Sequence, residues 1–177
     1  MRTISASVDI AASPEEVWAV LADLGSYAQW NPFIQSASGR LAEGETLTLR
    51  LVPSQGRPLT FRPRVLVVRP GITLRWIGRL LVPGIFDGTH QFALEEHGGH
   101  TRVTQSEKFG GILIPFTGKT IKQTETDFQN LNRALKQRGV VGLTRHPERM
   151  AVPPRHSCRC SLPSRSSRSS RLSRRSR

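Results

Sequence analysis

Cysteine is nearly absent. The 177 residues hold only Cys158 and Cys160, both close to the C-terminal end, so everything before them folds without a disulfide framework. Long apolar runs are missing too. None approaches the ~18 residues that a transmembrane helix needs, and the first residues, Met1-Arg2-Thr3-Ile4-Ser5-Ala6, enter an alternating pattern rather than the apolar block of a signal peptide. With neither disulfides nor an export signal, the expected compartment is the cytoplasm. The chain lacks GxxxxGK[ST], GxGxxG and HExxH, which removes the common phosphate-cradling loops and the helical zinc-protease site. There is no Ser-His-Asp constellation, and no cofactor is expected. Acidic residues are scarce, at 13 Asp+Glu against 26 Lys+Arg.

That imbalance is local. Residues 145–177 carry ten arginines and one acid, Glu148, for a net +9, while the rest of the chain is only +4. The basic character therefore does not type the globular part. After Leu143 the composition changes, and Pro153-Pro154 is followed by Arg155 to Arg177, Ser and Arg with little that can pack; this stretch cannot bury enough apolar area to offset its ordering entropy. We expect a folded domain over 1–144 and a disordered Arg/Ser-rich tail over 145–177. His156, Cys158 and Cys160 form an H-x-C-x-C cluster, but a flexible tail lacks the frame and the fourth ligand of a metal site, and no metal is expected. The arginines suit nucleic acid or anionic lipid through counterion release; a misread frame in a high-GC gene would give the same bias.

Within 1–144 the periodicity changes in order. Thr3 to Ile10 alternates, with Ile4, Ala6, Val8 and Ile10 on one face of a strand. Ser13-Pro14-Glu15-Glu16 starts a helix with a capping box. Val17, Leu21 and Leu24 form its buried stripe, and Gly25 stops it. Ser26 to Trp30 reads as a second short helix, ended by Asn31-Pro32. Strands follow over Glu45–Val52, Leu59–Arg69 (bulged or at an edge at Pro63), Thr73–Ile77, Phe86–Glu95 and Thr101–Phe109, with an apolar loop from Leu80 to Gly88. Ile112 to Phe116 is an apolar lead-in. From Thr117 to about Arg138, Ile121, Thr124, Phe128, Leu131 and Leu135 recur at helical spacing, with Gly139 as the C-cap.

Five segments stand out: Ala-Ser-Pro-Glu-Glu-Val-Trp at residues 12–18, Tyr27-Ala28-Gln29-Trp30-Asn31-Pro32-Phe33, Trp76-Ile77-Gly78, Asp87-Gly88-Thr89-His90-Gln91-Phe92 and Thr101 to Glu107. Together they resemble the START-like superfamily of polyketide cyclases/dehydrases and lipid-transfer proteins. The resemblance covers Met1 to about Gly139. It implies an α+β helix-grip fold: a curved antiparallel sheet wrapped around a long C-terminal helix, two short helices after the first strand, and a cavity between sheet and helix. Members bind sterols, lipids, polyketides or other hydrophobic molecules, and a minority catalyse cyclisation or dehydration.

The residues themselves sharpen one point. A hairpin turn centred between Gly98 and Gly99 pairs residues whose numbers sum to 197. Leu94 then faces Val103, Phe92 faces Gln105 and His90 faces Glu107, all on the interior side. An inward His opposite an inward Glu is a buried structural pair, a polar anchor for a ligand in an apolar pocket, or a general acid/base pair. Among the aromatics, Trp30, Phe33, Phe61, Trp76, Phe86, Phe92, Phe109, Phe116 and Phe128 fill the core or line a cavity, and Asn31 reaches the cavity mouth or holds its own turn. The expected ligand site is Trp30, Asn31, Trp76, Phe86, His90, Phe92, Glu107 and Phe128, with His90 and Glu107 as the catalytic candidates if there is catalysis. The expected partner is a hydrophobic or amphipathic small molecule. The alternatives are a cyclase/dehydratase using the same pair, and a nucleic-acid or membrane-surface protein acting through the tail.

Overall fold

The computed structural model describes residues 1–80, 84–112 and 118–144. The tail, with the His156-Cys158-Cys160 cluster, and the lead-in residues 113–117 lie outside the described residues. So do residues 81–83 of the expected apolar loop.

Alternation in the first residues gives β1 (Arg2–Ile10), with Ile4 and Ile10 buried. The chain then turns into α1 (Pro14–Ala22) through the expected capping box. Glu16 N donates to Ser13 Oγ at 3.3 Å, and Ser13 N donates to Glu16 Oε2 at 2.8 Å. Two orphan amides at the helix start are thereby satisfied. The helix ends earlier than Gly25: Asp23 is the cap, and Leu24–Ser26 form a 3-10 turn. That turn leads into α2 (Tyr27–Trp30). Tyr27 is buried and its hydroxyl donates to Leu21 O at 2.7 Å, tying the two helices together.

Among the described residues, eight strands form two antiparallel sheets. β2 (Ile34–Ser38), β3 (Thr48–Leu51) and β4 (Leu59–Phe61) make the smaller one, in the order β2-β3-β4. β5 (Arg64–Arg69), β6 (Thr73–Leu80), β7 (Phe86–His97) and β8 (His100–Gly110) join β1 in the larger one, in the order β1-β8-β7-β6-β5. Backbone bonds from Leu47 N to Pro63 O and from Val65 N to Glu45 O stitch the two sheets together. The expected single strand Leu59–Arg69 is thus divided at Pro63, which has no N–H to donate. Each half pairs with a different neighbour.

β2 has no counterpart in the sequence reading, and a bulge explains why. Ile34 pairs with Leu51 but Ser36 with Arg50, so Ile34 and Ala37, three residues apart, both point inward. Period-two patterning is lost. A second bulge lies between Val65 and Val67. It sets Val67 opposite Arg75 and brings Val68 inward opposite Leu74.

α3 (Gly118–Thr144) closes the fold, lying along β1 and against α1. Its buried stripe is Ile121, Phe128, Leu131 and Leu135. Asn132 Nδ2 donates to Ala6 O at 3.0 Å across the helix–sheet interface. Gly139 is not the cap. It lies inside the helix, where an added Cβ would sit 3.0 Å from Ile10 Cγ2, so the glycine permits close approach of α3 to the end of β1. The result is a curved antiparallel sheet gripping a C-terminal helix, as the resemblance implies. No described helix is long and apolar enough to cross a membrane.

Candidate functional site

The β7–β8 hairpin has the register that its turn dictates. Gly98 and Gly99 have φ of 55° and 91°, the two positive values of a type I′ turn. His97 pairs with His100, and His90 pairs with Glu107. Adjacent strands extend that rung into the row Trp76–His90–Glu107–Ile4 on the concave face. On one side of it runs Leu74–Phe92–Gln105–Ala6, and on the other Gly78–Gly88–Phe109.

His90 sits at the centre of an aromatic box. The Trp76 ring stacks on it at 4.7 Å and 7°, Phe128 meets it edge-on at 5.0 Å and 83°, and Phe92 meets it at 4.9 Å and 63°. Its Nδ1 lies 3.7 Å from Glu107 Oε2, with side chains only 6% and 14% exposed. That separation exceeds a hydrogen bond, so the pair interacts by charge and dipole and leaves carboxylate capacity unused. On the other side, Gln105 Nε2 lies 3.4 Å from His90 Nε2. With the amide donating there, the ring proton belongs on Nδ1, facing Glu107. Gln105 Oε1 is buried and has no partner among the described residues.

Above this row the chain leaves a cavity of about 390 Å³, within the usual range for small-molecule sites. Its floor is Trp76, His90, Glu107 and Phe109; Phe33, Leu49, Leu51 and Phe61 form the wall given by the smaller sheet; Ile121, Thr124 and Asp127 of α3 form the roof. The mouth is rimmed by Pro53, Gln55 and Arg57 of the β3–β4 loop. That loop is tied to α3. Ser54 N donates to Asp127 Oδ1 at 3.2 Å, and Gln123 Nε2 donates to Ser54 Oγ.

Two glycines seat side chains that line the cavity. Gly78 and Gly88 are cross-strand partners. A Cβ on Gly78 would lie 1.6 Å from Phe61 Cζ, and one on Gly88 would lie 2.4 Å from Glu107 Oε1. The Phe61 ring and the Glu107 carboxylate therefore rest directly on bare backbone.

Of the expected site residues, Trp76, His90 and Glu107 meet at the cavity. Phe92 and Phe128 do not line it; each is fully buried and supports His90 from the side. Trp30 and Asn31 are elsewhere, in a shallow surface depression shared with Gln29 and Gln35. Asn31 holds its own turn, its Oδ1 accepting from Phe33 N at 3.0 Å and Ile34 N at 2.7 Å. The backbone of Phe86 pairs with Leu80 in β7, but its side chain lies outside the described residues. Asp127 escaped the sequence reading, although it is three residues beyond Thr124 and next to Phe128 on the inward stripe. Gln105 was visible only as the partner of Phe92.

Residues 1–139 match the family described as polyketide cyclase / dehydrase and lipid transport. The chain belongs to this family. No curated protein matches it. A START superfamily protein from Mycobacterium smegmatis is similar in structure, with a TM-score of 0.64 at 22% identity over 78% of this chain and 97% of that one. A protein from Thermus thermophilus gives a TM-score of 0.64 at 18% identity over 80% and 99%. The di-domain ARO/CYC StfQ from the steffimycin biosynthetic pathway gives 0.65 at 10% identity, over 80% of this chain and 52% of that one. At these identities the likeness is one of fold, which hosts several chemistries.

Proposed function

We propose that this polyketide cyclase/dehydrase and lipid-transport family member binds a hydrophobic or amphipathic small molecule in the cavity between sheet and α3. The carrying observation is the cavity of about 390 Å³, with largely apolar walls and with His90 and Glu107 together on its floor. Burial of the ligand body against Phe33, Leu51, Phe61, Phe109 and Ile121 supplies the affinity, at roughly 25 cal/mol per Å² of apolar surface removed from water. His90 and Glu107 orient the polar end. Native mass spectrometry of the purified full chain tests this: a co-purified small molecule, lost in a variant with Phe61→Trp filling the cavity, is the expected result. An empty chain that also fails to take up any apolar probe would refute it.

A second reading rests on the same pair. With the His90 Nδ1 proton directed at Glu107, which lines the cavity, Glu107 is the group placed for acid/base work and His90 the one beside it that would orient it. Cyclisation or dehydration of a polyketide-like substrate would follow. Under that reading His90→Ala abolishes turnover while ligand binding persists; under the binding reading alone it weakens binding and there is no turnover to lose.

A further inference from the structure

We infer that the cavity selects ligands that donate hydrogen bonds, through a hydroxyl or an ammonium group, and rejects carboxylates; this rests on the binding reading above and specifies its ligand. The titratable groups facing the cavity are Glu107 on the floor, Asp127 on the roof, His90 beside Glu107, and Arg57 at the mouth. Arg57 is exposed, so water and salt screen its charge. The two carboxylates are inside: Glu107 is 14% exposed at its side chain and Asp127 is 3% exposed. Inside the mouth the lining thus holds two carboxyl groups and one imidazole, and no lysine or arginine.

The hydrogen-bond inventory points the same way. Glu107 makes no hydrogen bond among the described residues, its nearest polar partner being His90 Nδ1 at 3.7 Å. Asp127 accepts from Ser54 N. Of the nearby donors, the Gln123 amide is engaged with Ser54, the Gln105 amide with His90, and the His90 Nδ1–H faces Glu107; Gln55 and Arg57 stand exposed at the mouth. The polar end of the site thus has acceptors to spare, and an unsatisfied buried acceptor favours a ligand that brings the missing donor. A carboxylate brings only further acceptors and a like charge, at distances where such repulsion is weakly screened.

Three molecules of one shape test this by isothermal titration at neutral pH: naphthol, naphthylmethylamine as its ammonium cation, and naphthoate. Both ions are costly to strip of water, so desolvation alone penalises the two alike. We expect naphthol and the ammonium to bind, and the ammonium to bind at least about tenfold more tightly than naphthoate, one decade being about 1.4 kcal/mol. Glu107→Gln and Asp127→Asn should each move the cation-to-anion ratio towards one. Naphthoate binding as tightly as the ammonium overturns the inference while leaving the binding reading intact. Failure of all three to bind removes the binding reading itself. A ratio unmoved in both variants, with melting curves showing them folded, overturns the assignment to these carboxylates. If a variant does not fold, the wild-type ratio alone decides.

Discussion

Gly78 and Gly88 face each other across β6 and β7, yet alanine at the two positions should give different results. At Gly78 the new methyl would lie 1.6 Å from Phe61 Cζ and 2.3 and 2.5 Å from Cε1 and Cε2. Carbon atoms pack best near ~3.5–4.0 Å, so the ring must retreat by roughly 2 Å. A phenyl ring is rigid, and Phe61 ends a strand of only three residues, so the retreat disturbs β4. At Gly88 the methyl would lie 2.4 Å from Glu107 Oε1 but 3.5 Å from Cδ and 3.9 Å from Cγ. Only the tip of a flexible side chain obstructs it, and rotation of the carboxylate clears the space. Neither glycine has a positive φ, so alanine suits both backbones and gains ~0.4–1 kcal/mol from a less flexible unfolded chain. Gly78→Ala adds overpacking of ~1–3 kcal/mol, for a net loss of about 1–2 kcal/mol; at ~2–4 °C per kcal/mol for a chain of this size, Tm should fall by several degrees. Gly88→Ala should stay within ~0.5 kcal/mol of the parent, but binding of naphthylmethylammonium should weaken because Glu107 has been turned away from His90. Thermal melts and isothermal titration on the two variants separate the effects. Equal destabilisation by both would mean that the Glu107 carboxylate is wedged in place, and the argument from side-chain flexibility would be wrong.

Tyr27 is the one tyrosine of the chain, so its ionisation can be followed alone by tyrosinate absorbance. Burial, with Asp23 nearby adding to it, holds its phenol well above the usual value of 10.0. Because the folded-state value is the higher one, stability is whole below pH ~10 and falls above it by up to ~1.4 kcal/mol per pH unit; Tyr27→Phe should abolish that slope, and ionisation near pH 10 in the intact fold would contradict it. Phe128→Ala removes a fully buried ring that braces His90 and should cost ~3–5 kcal/mol in denaturant unfolding; a loss under ~1 kcal/mol would place Phe128 outside the packed core. Truncation after Thr144 should leave the melting temperature unchanged, since the tail has little apolar surface to bury; a large drop would show that residues beyond 144 pack on the domain.

What could be read from the chain follows from how locally each feature is encoded. The capping box at Ser13-Pro14-Glu15-Glu16 and the hairpin at Gly98-Gly99 depend on a few adjacent residues, and both have the geometry their spacing implies. His90 and Glu107 inherit their meeting from that hairpin. The bulges after Ile34 and Val65 depend on what the neighbouring strand offers, and a single chain read by periodicity has no access to that. Trp30 and Asn31 differ for a related reason: they stand at the end of a short helix tied down by Tyr27 and by the Asn31 turn, which places them at a depression apart from the cavity.

The cavity has a deeper cause of partial illegibility. Strand parity tells which side chains point inward, but a cavity lies where inward side chains are missing. At Gly78 and Gly88 none is present, and Phe61 and Glu107 take up the space. Read alone, a glycine in a strand pattern is a place to stop, so β6 reads as ending at Ile77. In the folded chain both strands continue through their glycines, and the bare backbone at those two positions is what Phe61 and Glu107 rest on. Gly78, which shortens a strand in the sequence reading, is thus what lets Phe61 seat in the cavity wall, as Gly88 lets Glu107 sit beside His90. Had either been a larger residue, the side chain resting on it would be displaced.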